Sequence, residues 1–249
     1  MAASETIWGI DIGQCALKAL KLRQVEEEVR LEAFDIIEHP VILSQSEADR
    51  EQLIYNALEQ FCARNNVADS RIVIAAPGQT GFTRFVKLPP VETKQVPEIV
   101  RFEAEQQIPF DINEVIWRWQ AFQDPDSPDI EVGIFAMKSA DVSAVLDRFA
   151  DVEIEVDVVQ MAPLALYNFM DFDGQTTDEG ATLLVDIGAD KTDLVVADGP
   201  RIWTRTLQLG GNNFTEALVK AFKLNFAKAE KLKLGAATHK YARQIFQAM

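Results

Sequence analysis

The chain has 249 residues and a net charge of −15, with 48% hydrophobic and 25% charged residues. That balance is ordinary for a globular fold, and the length allows one large domain or two smaller ones around a real core. No long basic run appears, so nucleic acid and anionic lipid are poor partners for the surface as a whole, and a basic patch on a partner fits the charge better. Met1–Thr6 lacks the basic region and apolar core of a signal peptide, and no segment approaches the roughly 18 unbroken apolar residues of a membrane span. These features predict a soluble, cytoplasmic chain.

Taken in order, residues 6–11 and 15–23 read as two strands joined at Ile12-Gly13-Gln14, and a third runs from Val29 to Ile37 after the charged bend Glu26-Glu27-Glu28. Ser46 to Asn65 carries Leu53, Ile54, Ala57, Leu58, Phe61 and Cys62 at amphipathic-helix spacing. Residues 71–76 form a strand stopped by Pro77-Gly78. Cys15 and Cys62 sit in apolar-patterned segments and read as small buried hydrophobes. His39 and His239 are isolated, which argues against zinc.

From there the texture changes. Thr83–Leu88 is strand-like, 93–107 a polar-faced helix broken at Ile108-Pro109, and Val115–Phe122 with Ile130–Met137 a strand pair around Asp124-Pro125-Asp126-Ser127-Pro128. Ser139 is placed to cap a helix through Ala150, Glu153–Val159 reads as a strand, and Gln160–Met170 as a helix. A polar linker, 171–180, leads to a second meander at 181–187, 192–198 and 201–207. Helices follow from Asn213 to Lys223, over Phe226–Leu234 and from Thr238. The last stops at Met249 with neither glycine nor C-cap, which reads as a chain cut short.

One short pattern occurs twice. Trp8-Gly9-Ile10-Asp11-Ile12-Gly13 and Leu183-Leu184-Val185-Asp186-Ile187-Gly188 are apolar runs ending in Asp-Ile-Gly, each followed at once by another strand. Alone, such a segment is an ordinary hairpin turn; a pair of them, each opening a meander, can grip a polyphosphate. The glycine admits an anion close to backbone N–H groups, Lys18 supplies a point charge, and Asp11 and Asp186 suit Mg²⁺ held through its water shell. Gly210-Gly211 lies between strand and helix, where backbone can approach a ligand and a helix N-terminus favours anions, although a simple turn and cap fits as well. Glu230 and Lys233, three apart, share a helix face, which by itself reads as a solvated ion pair.

The two hairpins resemble the phosphate motifs of the actin/Hsp70/sugar-kinase ATPase superfamily. Gly210-Gly211 with Ala229-Glu230-Lys231-Leu232-Lys233 is similar to the elements that follow in its FtsA-like branch. Ala75-Ala76-Pro77-Gly78, Arg84-Phe85-Val86-Lys87-Leu88-Pro89, and Glu103-Ala104-Glu105-Gln106-Gln107-Ile108-Pro109-Phe110 followed by Glu114-Val115 resemble the PilM family of type IV pilus assembly proteins. The likeness covers 7–235, and the Glu-Ala…Ile-Pro-Phe segment is its most specific part.

This resemblance implies an α/β, actin-like (ribonuclease H-like) ATPase fold with an inserted FtsA-type subdomain and an incomplete second domain. Subdomain 1A would be 1–78 and 160–178, the inserted 1C 79–159, and 179–249 the N-terminal part of domain 2. Asp11, Gly13, Gln14 and Lys18 would contact ATP phosphates and Mg²⁺ in the first loop, and Asp186, Gly188, Ala189 and Thr192 in the second, with Asp11 and Asp186 on the metal. Gly210, Gly211, Glu230 and Lys233 would lie near ribose and adenine. Gln160, starting the helix between the halves, and Asp186 would carry any catalysis, at most a slow ATPase. The second loop departs from the family in its Asp190-Lys191, and the later Gly-rich adenosine motif is expected beyond Lys233.

The function implied is a cytoplasmic ATP-binding scaffold of a type IV pilus or type II secretion-like platform. It would be peripheral to the inner membrane, hold the cytoplasmic tail of a bitopic PilN-like protein between the first domain and its insertion, and contact other platform or motor proteins or further copies of itself. An FtsA-like division filament is the alternative. A small-molecule kinase would need a carboxylate base, for which no Asn-Asp setting appears.

Overall fold

The computed structural model describes residues 6–92, 94–123, 129–177, 180–199 and 201–249. The Asp124–Pro128 loop, Asp178 and Glu179 of the linker, and the first five residues lie outside the described residues. Contacts group the rest into two compact units. One holds the described residues up to Leu184 together with Leu194–Arg205, and the other holds Val185–Asp193 and Thr206–Met249.

The first sheet begins with an antiparallel meander of β1 (Thr6–Ile12), β2 (Ala16–Val25) and β3 (Glu28–Glu38). Glu26 adopts the left-handed conformation (φ 57°) that reverses the chain between β2 and β3. β4 (Ser70–Ala76) then runs parallel to β1, and β8 (Val158–Met161) parallel to β4, giving the order β3-β2-β1-β4-β8. The parallel step from β1 to β4 needs a crossover, and α1 (Arg50–Arg64) provides it. Its buried Ile54, Ala57, Leu58 and Phe61 follow the helical repeat and lie on Trp8, Ile10, Leu17 and Ile74. Trp8 meets Phe61 edge-to-face at 5.0 Å, and its indole N–H donates to the Asn66 carbonyl. The helix starts at Arg50 rather than Ser46, because the Asp49 carboxylate accepts the Gln52 N–H (3.2 Å) and ends the preceding loop there.

A second core belongs to a three-stranded sheet, β5 (Gly81–Leu88), β6 (Val115–Gln123) and β7 (Ile130–Lys138), in the order β5-β7-β6. α2 (Val96–Gln107) covers it with Val96, Val100 and Ala104, spaced i, i+4, i+8, against Val132 and Ile134. β7 passes directly into α3 (Ser139–Ala150). The expected Ser139 cap is not made: Lys138 is the extended capping residue, without a side-chain bond, and Ser139 is already helical. Phe149 and Ile154 join the core beneath the first sheet, and Arg148 grips Glu51 of α1 through two bonds of 2.8 and 2.9 Å. Residues 139–159 therefore pack with α1 and the first sheet.

The strand expected over 153–159 begins only at Val158. Glu153 takes a left-handed turn (φ 59°), and Asp157 is occupied accepting the Ile72 N–H at 2.7 Å. Gln160 accordingly lies on β8, opposite Ala75, and does not start a helix. α4 (Ala162–Phe172) begins two residues later, with Pro163 in its first turn, a position that needs no backbone donor. Cys15 is exposed rather than buried, because the β1–β2 turn carries it past the end of the apolar alternation, and no disulfide links it to Cys62.

The second meander forms a sheet of β9 (Thr182–Ile187), β10 (Thr192–Asp198) and β11 (Arg201–Leu207), ordered β11-β10-β9. α5 (Gly211–Phe222), α6 (Phe226–Leu234) and α7 (Ala242–Ala248) pack on one another through Leu218, Ala229, Ala236 and Ile245. α6 starts where Asn225 accepts the Lys228 N–H. Thr238 closes a short 3₁₀ turn, so the last helix begins at Ala242.

Candidate functional site

Both Asp-Ile-Gly turns have the same local construction. The Gly13 N–H donates to the Ala16 carbonyl at 3.0 Å, and the Gly188 N–H to the Lys191 carbonyl at 2.8 Å. A Cβ on Gly13 would come within 3.2 Å, and one on Gly188 within 3.0 Å, of that same carbonyl oxygen, so a side chain at either position would push the turn open by a few tenths of an ångström.

In the first turn Asp11 and Lys18 stand opposite each other in the ladder, both exposed. A groove of about 520 Å³ on that face of the sheet is lined by Asp11, Lys18 and Gln160 together with Leu20, Phe34 and Ile36, and its surface is almost wholly apolar. The loop is strapped from behind. The His39 N–H donates to the Cys15 carbonyl (2.8 Å) and the Leu43 N–H to the Gln14 carbonyl (3.0 Å). Gln14 Oε1 and both ring nitrogens of His39 are buried without a hydrogen-bond partner among the described residues. Burial, opposed by the nearby Gly13 carbonyl, holds the imidazole below its ordinary range, so His39 sits neutral behind the loop. Orphaned polar atoms gathered at one loop are what a polar ligand or ordered water would satisfy. The sequence showed His39 only as an isolated histidine, because its loop neighbours lie more than 20 residues away.

The second turn is braced differently. The Gly211 and Asn212 N–H groups, the first donors of α5, are taken by the Gly188 (2.9 Å) and Ala189 (2.7 Å) carbonyls. Asn212 also donates its amide to the Asp190 carboxylate, which gives the unexpected Asp190 a structural partner. Thr192 is buried and donates to the Leu209 carbonyl at 2.6 Å. Gly210 is obligatory here, since a Cβ would lie 2.5 Å from the Ala189 oxygen. These two α5 donors, offered by the sequence for an anion, are therefore used within the protein. Asp186 is exposed near the end of β9.

Glu230 and Lys233 converge on α5. Lys233 Nζ donates to the Gly211 carbonyl (3.0 Å) and to Thr215 (2.9 Å), and lies 2.7 Å from Glu230, which accepts the Thr215 hydroxyl. Thr215 is fully buried at the centre of this knot. Sequence reasoning missed it; its spacing of four from Gly211, one helical turn, was the available signal. Asp11, Gly13, Gln14 and Lys18 thus gather on one hairpin, and Gly188, Ala189, Thr192, Gly210, Gly211, Glu230 and Lys233 in one network around the start of α5.

A separate groove of about 480 Å³ runs between β6 and α4, with Arg118 and Gln120 on the strand and Tyr167, Asn168 and Asp171 on the helix, over an apolar floor. Burial first, and Asp171 second, raise the Tyr167 hydroxyl above its usual range, so it stays a protonated donor. Among the described residues no group of three His, Cys, Asp or Glu side chains is placed to hold a metal, and no helix is long and apolar enough to cross a membrane.

The family profile of type IV pilus assembly protein PilM matches residues 9–248. The chain belongs to this PilM family. No curated protein matches it in sequence. Among solved structures it is similar to a PilM-PilN type IV pilus biogenesis complex, with 24% identity and a TM-score of 0.75, covering 97% of this chain and 71% of that one. It is also similar to ethanolamine utilization protein EutJ from Carboxydothermus hydrogenoformans (13% identity, TM-score 0.54, 99% and 66% covered). The cytoplasmic domain of EpsL, an inner membrane component of the type II secretion system of Vibrio cholerae, is a third (10% identity, TM-score 0.50, 89% and 76% covered). At these identities the likeness carries the fold alone, a mixed α/β fold shared with these proteins.

Proposed function

We propose that this PilM-family chain is a cytoplasmic scaffold of a type IV pilus assembly platform, binding ATP with Mg²⁺ and holding the cytoplasmic tail of a PilN-like membrane protein. The groove between β6 and α4 carries the partner half of this reading. It offers apolar floor, an Arg118 donor, the Asp171 carboxylate and the neutral amides of Gln120 and Asn168, a mixture suited to a short peptide with both side-chain and backbone groups to satisfy.

The twin glycine turns support the nucleotide half. Asp11 and Asp186 would each offer one exposed carboxylate to a divalent ion that keeps most of its water. Gly13 and Gly188 would admit phosphate oxygens, with Gln14 and Lys18 in the first loop and Ala189 and Thr192 in the second. Glu230 and Lys233, fixed by Thr215, would flank the nucleoside with Gly210 and Gly211. Gln160 and Asp186 would act on any attacking water. ATP, when bound, supplies a state-dependent contact: a ligand that prefers one conformation biases partner affinity without needing turnover.

Calorimetric titration with Mg-ATP and with a synthetic PilN-type tail peptide tests both halves. Asp11→Ala and Lys18→Ala should weaken nucleotide, and Asn168→Ala with Arg118→Ala should weaken the peptide. Nucleotide affinity unchanged in both loop variants would overturn the phosphate-loop assignment, and peptide affinity unchanged in the groove variants would overturn the docking assignment.

A further inference from the structure

The charge of this chain is segregated. Residues 206–249 hold seven of its 24 Lys and Arg and only two of its 39 Asp and Glu, a net of +5, whereas residues 1–205 carry −20. An average over the whole surface hides this, and the helices α5, α6 and α7 are where the positive charge lies. Lys220, Lys223, Lys228, Lys231, Lys240 and Arg243 are all exposed there. Among the described residues none of the six has an acidic side chain within ion-pair distance.

We propose that the end of this helical unit is a binding site for a phosphate-bearing anion, supplied by the headgroup of an acidic phospholipid. Lys228 and Lys231, three apart on one face of α6, line a groove of about 360 Å³ together with His239, Leu224, Leu232 and Gly235. His239 Nδ1 accepts the Tyr241 N–H at 3.2 Å, which leaves Nε2 as the ring's donor. Two ammonium groups and an imidazole N–H around one concavity, with no carboxylate among its lining residues, form an anion receptor.

The surroundings select the lipid source. Leu234 is 77% exposed, Phe246 55% and Tyr241 52%, with Lys240 placed 4.9 Å over the Tyr241 ring. Exposed aliphatic and aromatic groups interleaved with unpaired lysines are the composition of a surface that rests in the headgroup layer, with apolar tips in the acyl boundary and cations at phosphate level. A nucleic-acid phosphate backbone would use the lysines and leave Leu234 without a role. This site uses none of the residues of the two glycine turns or of the β6–α4 groove, so it stands or falls apart from the function proposed above.

The test is flotation of the full chain with phosphatidylcholine vesicles containing or lacking phosphatidylglycerol, over a salt series. Capture only by the phosphatidylglycerol vesicles, weakening with salt, is expected. Each lysine near an anionic surface is worth about fivefold in partitioning, so Lys228→Gln with Lys231→Gln should reduce capture about 25-fold, and Leu234→Ser should reduce it at all salt concentrations. Equal capture by both vesicle types, or unchanged capture of the double variant, would overturn the site. Displacement by inorganic phosphate, or by a short DNA duplex, at concentrations matching the lipid phosphate would overturn the lipid source.

Discussion

β1 and β9 are both apolar runs that end in Asp-Ile-Gly, and they are opposite in setting. Trp8 and Ile10 on β1 are almost fully buried, whereas Leu183, Val185 and Ile187 on β9 are 59%, 48% and 64% exposed. β1 lies between β2 and β4 with α1 beneath it, and β9 pairs with β10 at the edge of its sheet. The same apolar run thus becomes core or surface according to what the rest of the chain delivers to its free side. Their turns, by contrast, are built alike down to the glycine N–H bond, because that geometry depends only on residues within the hairpin. Local chemistry was duplicated faithfully; burial was not.

The largest expected break in this comparison comes from cutting an equivalent side chain on each strand. Trp8→Ala should cost about 3–5 kcal/mol by removing the partner of Phe61, and Leu183→Ala, at the matching position of the exposed strand, about 0.5 kcal/mol or less. Urea unfolding followed by circular dichroism reads both, and equal losses would show that β9 is covered in solution. Next, Gly210→Ala should cost about 1–3 kcal/mol, because its methyl meets the Ala189 backbone. Gly9→Ala, with nothing within 4 Å of the new Cβ, should be nearly neutral by the same measurement.

A smaller effect separates the helices. α1 is capped by its own Asp49, so Asp49→Ala should cost about 1 kcal/mol, whereas Asn212→Ala should loosen α5 together with the 188–191 turn, visible as faster hydrogen exchange at Gly188. The smallest effect concerns pH. Folded His39 resists protonation while the unfolded chain takes up a proton near the ordinary imidazole value of 6.5. Its contribution is therefore complete above that pH and is lost as pH falls toward the lower folded value. A melting-temperature series from neutral to mildly acidic pH should show that decline, and His39→Gln should flatten it.

Strands were legible in the sequence because alternation and Gly/Pro punctuation are local. The five-stranded order needed more: that β8 joins β4 depends on Val158 and Val159 emerging from a left-handed turn at Glu153, which no pattern announces. Ser139 failed as a cap because β7 delivers Lys138 already extended. The candidate site divides in the same way. Glycine positions were readable from the motif, but the use of the α5 donors by residues 188 and 189, the Thr215 knot and the strap from His39 are contacts between segments distant in sequence. Net charge hides the split between residues 1–205 and 206–249 for a related reason, since a sum carries no position.

The bonds from Gly211 and Asn212 back to residues 188 and 189 have a dynamic consequence. They make the β9–β10 turn and the first turn of α5 a single lever, in which neither part can open without breaking both amide bonds at once. The two amides should consequently exchange with solvent at one common rate, set by one opening event. A displacement of a few tenths of an ångström at Ala189 would reach the far end of α5, some 18 Å away at ~1.5 Å per residue, as rotation of a stiff rod.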